Sequence, residues 1–380
     1  MSGSPTHAAS HSLTETLSSR HLMAPGGGRQ VPWFSFLVHL RSRRDLDLWT
    51  TSTMVRAAAG EDWRDQVLRG PPLVASSLSF RSNPATGEIV VIPRLPEEII
   101  YGEGRRLIAR SVEIAAARGS HVVGLGGLIS SATRGGESLV AAAPQGLTIT
   151  NGNSFTAAAA RANVLEACEF VGRESPRVAV LGSTGSVGIP TVRLLADDGL
   201  DLLLIGRSLV KARRLGPEPS ERVRFSDQLA DVGKADVVLV LTSGSAARLE
   251  PELFDGGRDV VVIDVAQPPN VEVVRRQAFR DRKVRVVRGG WVQLRGGISS
   301  RDHEGVMTDG DPDALQGSAP ACLGETYLLA AEGIRDHAVG PGSVELARLL
   351  GRVAERRGVR ICPLSIESTA VGQAEDAFGA

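Results

Sequence analysis

Residues Arg177 to Gly188 read RVAVLGSTGSVG. The run Val178-Ala179-Val180-Leu181 is short and wholly apolar, the pattern of a parallel strand buried on both faces. It breaks into Gly182-Ser183-Thr184-Gly185-Ser186-Val187-Gly188, and apolar spacing resumes through Val192, Leu194 and Leu195, which predicts a helix. Glycines at such a junction let the backbone turn tightly and approach a pyrophosphate. The helix N-terminus then offers free N–H groups to the anion. A second apolar run, Leu202-Leu203-Leu204-Ile205, ends in Gly206-Arg207-Ser208, with Lys211 one helical turn later. A cation at the position where an acidic residue would hold the ribose hydroxyls favours a 2′-phosphate. The expected cofactor is NADPH, held by Gly182 through Gly188, Arg207 and Ser208.

The alternation of strand and helix continues beyond this motif. Runs at 222–225, 237–241, 259–263 and 284–288 complete a parallel sheet with 178–181 and 202–205. Thr242 and Asp264 stand at strand ends, where such sheets bind ligands, and join the expected cofactor set. The fold class is α/β: a Rossmann-type doubly wound parallel sheet with an N-terminal α/β substrate domain and a C-terminal helical segment. The expected divisions are a disordered tail at 1–30, a substrate domain at 31–172, the NADP-binding domain at 173–298, and a loop with helices at 299–380.

At 380 residues, with 42% hydrophobic and 23% charged residues, the composition is that of a globular protein with more than one core. The net charge of zero gives no field for nucleic acid. Cys168, Cys322 and Cys362 are scattered, without CxxC or histidine pairing, so no metal site or disulfide framework is expected and a cytoplasmic setting fits. No apolar run reaches the length of a membrane span. His7, His11 and His21 in the tail read as solvated, as do Asp302, His303 and Glu304 in the 299–317 loop, itself a lid or a disordered stretch.

Upstream of the cofactor motif, the pattern predicts strands at Phe34–Leu40, Leu73–Phe80, Glu88–Ile92 and Leu147–Thr150. Helices are expected from Ser42 through Trp49, over 102–118, and from a junction at 151–157 capped by Asn153 or Ser154. Cys168, on that last helix, is expected to face the core. Gly124-Leu125-Gly126-Gly127 follows a short strand and serves either a ligand or a tight packed turn. Downstream, helices are expected from about 318–320 and over 343–357, before a loose tail at 365–380.

Ser318-Ala319-Pro320-Ala321-Cys322-Leu323-Gly324-Glu325 puts Cys322 in the first turn of its helix. A helix N-terminus favours the thiolate and lowers its pKa. Glu325 lies one turn along the same face, placed to orient a group or pass a proton. A thiolate beside a nicotinamide can take an acyl group from a thioester and release it as an aldehyde after hydride transfer. A buried structural thiol fits the same local residues.

Several segments, in order over roughly residues 34 to 335, resemble the long-chain acyl-[acyl-carrier-protein] reductases that form aldehydes. These are Val38-His39-Leu40, Gly124-Leu125-Gly126-Gly127, Asn151-Gly152-Asn153-Ser154-Phe155-Thr156-Ala157, Gly182 to Gly188, Arg288-Gly289-Gly290-Trp291-Val292 and Ala321-Cys322-Leu323-Gly324-Glu325. Asn151 stands where the family has Thr, Arg288 where it has Lys, and Leu323 where it has Phe. The resemblance implies that Cys322 is the acyl acceptor, with Glu325 beside it. It implies an acyl site lined by His39, Gly126, Gly127, Asn153 and Thr156. It also implies an acyl carrier protein or acyl-CoA as donor, and an aldehyde-consuming partner enzyme. The segment Asp264-Val265-Ala266-Gln267-Pro268 looks instead like the shikimate dehydrogenase and glutamyl-tRNA reductase group. A carbonyl reductase without an acyl-enzyme, or a non-catalytic NADP-binding module, are the alternatives.

Overall fold

The structure, a computed structural model, describes residues 33–48, 63–80, 85–242, 248–267, 269–294, 298–299 and 317–366. The histidines of the N-terminal tail and the loop acids Asp302 and Glu304 with His303 lie outside these residues.

The first sheet contains β1 (Trp33–His39), β2 (Leu73–Phe80), β3 (Thr86–Ile92), β4 (Val122–Leu125) and β5 (Thr148–Thr150). Their order is β2-β3-β1-β4-β5, with the pair Ile298–Ser299 beyond β2. β1 runs parallel to β3 and β4, and β4 to β5, whereas β2 is antiparallel to β3. α1 (Gly104–Ala117) buries Leu107, Ile108 and Val112 against this sheet. The helix expected over 102–118 is α1, which starts two residues later, after a separate short helix, Pro96–Tyr101, that ends at Gly102. α2 (Asn153–Val171) leads to the second sheet.

That sheet holds β6 (Arg177–Leu181), β7 (Asp201–Ile205), β8 (Val223–Ser226), β9 (Val237–Val240), β10 (Val260–Asp264) and β11 (Val284–Arg288). The order is β8-β7-β6-β9-β10-β11, parallel throughout. This is the doubly wound arrangement, with a switch point between β6 and β9. α3 (Gly188–Asp197) follows β6, and α4 (Leu209–Leu215) follows β7. Strand residues alternate between two cores: Val178 and Val180 enter one, Ala179 and Leu181 the other. Both faces are therefore covered, and the strands read as continuous apolar runs.

The chain then forms β12 (Trp291–Leu294), β13 (Ile298–Ser299) and β14 (Ser318–Pro320), followed by α5 (Ala321–Glu332), α6 (Val344–Arg357) and β15 (Val359–Ile361). The helix expected near 318–320 is preceded there by β14, which pairs with β12. α5 returns to the first sheet. Its Leu323, Tyr327 and Leu328 share a core with Phe34 and Phe36 of β1, and Tyr327 meets Phe34 edge-on at 6.4 Å between ring centroids. β4 carries Gly124 because a Cβ there would lie 2.1 Å from Thr326 Oγ1. α2 bridges the two halves. Phe155 and Ala159 pack with α5, whereas Ala160, Val164 and Ala167 enter the core of the second sheet with Cys168 against them. No described helix is long and apolar enough to cross a membrane.

Candidate active site

The glycine turn after β6 has the shape its sequence demands. Gly182 has φ +86, and a Cβ there would come within 3.0 Å of the Leu241–Thr242 backbone. A Cβ on Gly188 would lie 2.1 Å from the Gly182 carbonyl oxygen. These two glycines close the turn and seat it at the switch point. Gly185 and Ser186 are exposed, so the outer surface is open to a ligand. Thr184 and Val187 complete the turn, and no side chain caps α3. Ser183 Oγ and Thr242 Oγ1 are buried beside it, without a hydrogen-bond partner among the described residues. A buried hydroxyl left unpaired costs about 1–3 kcal/mol, and an anionic dinucleotide offers acceptors for both. These residues fit the phosphates of a dinucleotide.

Arg207 is exposed just past β7, with no ion-pair partner among the described residues. The hydroxyl of Ser208 accepts the Lys211 N–H at 3.2 Å and caps α4, so its role is in the helix start. The Asp264 carboxylate is also engaged by its own loop. It accepts the N–H groups of Ala266 at 3.1 Å and Val271 at 2.9 Å, and burial pushes its pKa up to about 6.

The thiol site lies at the carboxyl edge of the first sheet. After β5, Gly152 adopts φ +74 and is the N-cap of α2, displacing the expected Asn153 or Ser154 from that position. A Cβ on Gly152 would sit 2.2 Å from Cys322 Cβ and 2.3 Å from its Cα. Only glycine lets the first turn of α5 approach this closely. Gly152 brings no capping side chain, and Glu325 supplies the group from a distant part of the chain. Its carboxylate accepts the Thr150 hydroxyl at 2.6 Å and the Phe155 N–H at 2.7 Å. Glu325 thus holds the start of α2 against α5 and acts as a positioning residue. Its carboxyl is fully buried, and burial raises its pKa.

Cys322 retains partial solvent access, yet burial of the thiol pushes its pKa up to about 12, with the nearby Glu325 adding to the rise. The lowering expected from the helix N-terminus is overturned. A few aligned amides are outweighed by removal of the sulfur from water.

The two sites meet through Val339–Ser343, a segment the sequence reading did not single out. Its Gly-Pro-Gly was the available signal. The Gly342 N–H donates to the Ser186 carbonyl at 2.9 Å, and a Cβ on Gly342 would lie 3.0 Å from Pro190 and 3.1 Å from Asn153. The Ser343 N–H donates to Ser154 Oγ at 3.0 Å. Asn151 Nδ2 donates to the Gly135 and Gly340 carbonyls at 2.8 and 2.7 Å, and its Oδ1 accepts the Asn153 N–H at 3.0 Å. Threonine, with a single donor, could not tie both carbonyls. Asn153 Nδ2 adds a bond to the Gly340 carbonyl at 3.0 Å, and the Thr156 hydroxyl donates to the Gly152 carbonyl at 2.7 Å. The cofactor turn, the start of α2 and Cys322 are therefore one contiguous cluster.

His39 is spent elsewhere. Its Nε2 accepts the Leu128 N–H at 3.1 Å, so Nδ1 carries the proton and donates to the Leu40 carbonyl at 2.7 Å. Burial lowers its pKa, consistent with a neutral ring. A Cβ on Gly127, at φ +55, would lie 2.9 Å from His39 Nε2, and one on Gly126 would lie 2.8 Å from the Leu37 carbonyl. This glycine pair makes a packed turn at the ends of β1 and β4. No group of three or more His, Cys, Asp or Glu placed to hold a metal occurs among the described residues.

No family model matches the chain. It is similar to the aminotransferase PigE of Serratia sp. (strain ATCC 39006), at 25% identity over 291 residues, 73% of this chain and 33% of the relative. The chain thus spans about a third of the length of this relative. Among solved structures it is similar to the L-tryptophan dehydrogenase of Nostoc punctiforme, at 14% identity and a TM-score of 0.34, over 67% of this chain and 68% of that one. It is also similar to a 2-hydroxyacid dehydrogenase from Ketogulonicigenium vulgare Y25, at 12% identity and a TM-score of 0.31, over 89% of this chain and 99% of that one. The fold assignment rests on the strand order of the second sheet, a doubly wound α/β arrangement.

Proposed function

We propose that this protein is an NADPH-dependent oxidoreductase that reduces a fatty acyl thioester to an aldehyde through an acyl-enzyme on Cys322. On this reading it is a divergent relative of the long-chain acyl-[acyl-carrier-protein] reductases. The observation that carries the reading is the seat of Cys322 on Gly152, in the cluster that Gly342 ties to the cofactor turn. The glycine turn and the buried hydroxyls of Ser183 and Thr242 would hold the dinucleotide, and Arg207 its 2′-phosphate. NADPH bound there would supply the hydride, two electrons and a proton's worth of hydrogen, that the acyl carbon needs to become an aldehyde carbon. The Cys322 sulfur bonds to the thioester carbonyl as the donor's carbon–sulfur bond breaks, and the Cys322 proton leaves on the carrier thiol. After reduction the sulfur–carbon bond breaks, and the thiolate regains a proton from water. Because the resting thiol is protonated, acylation speeds up as pH rises.

The Serratia relative is named for transamination, a reaction that consumes an aldehyde or ketone. An aldehyde product suits such a partner activity. The segment matched here does not fit transamination itself, which holds pyridoxal phosphate on a lysine. Lys211, Lys234 and Lys283 are the only lysines, all exposed, on α4 and in the turns entering β9 and β11. The raised thiol pKa favours one second reading, a carbonyl reductase without a covalent intermediate. The test is aldehyde formation from acyl thioesters by the wild type and Cys322→Ala. Loss of turnover in the variant supports the acyl-enzyme, undiminished turnover removes it, and oxidation of NADPH with a ketone or aldehyde but with no thioester selects the second reading.

A further inference from the structure

A groove of about 1090 Å³ lies beside this site, walled by α2, α6, the end of α3, and strands β12 and β15. Its floor is apolar, from Phe155, Ala158, Leu294 and Val359. Arginines 348, 352 and 356 recur every four residues on α6 and so share one face, and Arg360 of β15 joins them on the lining. Arg348 is engaged with Asp197 at 2.6 Å, and Arg161, across the groove, is paired with Asp198 at 2.6 Å. Arg352 and Arg360 are exposed and have no ion-pair partner among the described residues, and Arg356 reaches Glu332 only at 3.9 Å. Glu355 and Asp198 are the carboxylates of the lining against its five arginines, so in a chain of zero net charge the groove keeps a local positive excess over an apolar floor. The volume matches a cofactor-sized ligand and exceeds the needs of a single phosphate.

The groove also adjoins the thiol helix. Phe155, on its floor, gives its N–H to Glu325 at 2.7 Å, and its ring would lie 3.1 Å from a Cβ on Gly324. We propose that the groove binds the phosphopantetheine arm of the thioester donor, its phosphate on Arg352, Arg356 and Arg360. This inference rests on the thioester reading above and names the donor's anionic chemistry. Coenzyme A and a carrier protein both present that chemistry, a phosphate on a long neutral arm ending in sulfur.

The test is a calorimetric titration of the full chain with 4′-phosphopantetheine, coenzyme A, a phosphopantetheinylated carrier protein, and pantetheine lacking the phosphate. The wild type is expected to bind the phosphate-bearing ligands at least about tenfold more tightly than pantetheine, an advantage that shrinks at high salt. R352Q/R356Q/R360Q and the charge-reversed R352E/R360E, each first shown by urea unfolding to be folded, should lose that advantage. Gain by the carrier protein over coenzyme A marks protein-borne donors, the reverse marks coenzyme A, and either supports the site. Equal binding of phosphate-bearing ligands by the wild type and folded variants overturns the proposal, as does equal binding of pantetheine and 4′-phosphopantetheine by the wild type. These binding readouts need no acylation. Failure of the reductase reading shows separately, as absence of aldehyde from every thioester, including the phosphate-free N-acetylcysteamine thioester.

Discussion

Gly152→Ala probes the contact on which the thiol site is built. The new Cβ would lie 2.2 Å from Cys322 Cβ and 2.3 Å from Cys322 Cα. Carbon atoms normally meet at about 3.5–4.0 Å, so the first turn of α5 must retreat by roughly 1 Å or more. Gly152 also sits at φ +74, where a side chain costs about 1–2 kcal/mol. Overpacking adds about 1–3 kcal/mol, for a total of about 2–5 kcal/mol. Gly146→Ala separates the two effects. Its φ of +83 is similar, and no atom lies within 4 Å of the new Cβ, so it bears only the backbone cost. Urea unfolding followed by far-ultraviolet circular dichroism measures both variants, with the slope m checked for two-state behaviour. Gly152→Ala should be the less stable by about 1–3 kcal/mol. It should also react at Cys322 at an altered rate with a thiol reagent. Equal stability of the two variants, within about 0.5 kcal/mol, refutes the close seating of Cys322 on Gly152.

Arg207→Ala should weaken NADPH binding about tenfold or more and leave NADH binding unchanged, because it removes only the partner of the 2′-phosphate. A fluorescence titration with both nucleotides checks this, and equal loss for both contradicts it. Asp264 gives a pH signature. Its pKa in the fold is raised from 3.8 to about 6, so its contribution is fully present below the unfolded value and is lost as pH rises through about 6. The stability difference between the wild type and Asp264→Asn should fall by about 3 kcal/mol from about pH 3 to well above pH 6. A flat difference profile would show that burial does not control this carboxyl.

The second sheet was legible because its strands are buried on both faces. Runs such as Val178–Leu181 and Leu202–Ile205 carry no polar residue, and they appear as β6 and β7 within one residue of the expected bounds. The glycine turn was legible for the same local reason, since Gly182 and Gly188 close it on neighbouring backbone. What depended on distant partners was not legible. The cap of α2 comes from Glu325, 170 residues beyond Phe155, and no local pattern at Asn153 or Ser154 reveals it. His39 is expected at the acyl site, but its ring is taken by Leu40 and Leu128, a pairing across 89 residues in the second case. The Cys322 thiol follows the same logic. Its place in the first helical turn was readable, whereas the burial that governs its pKa depends on α2 packed over it.

The central claim is an acyl group on Cys322, and intact-protein mass spectrometry tests it most directly. The protein is incubated with a panel of acyl thioesters without NADPH, at neutral and mildly alkaline pH. The account predicts a mass increase equal to the acyl group, faster at the higher pH, removed by hydroxylamine and absent in Cys322→Ala. No adduct with any donor, in protein shown to bind NADPH, contradicts it.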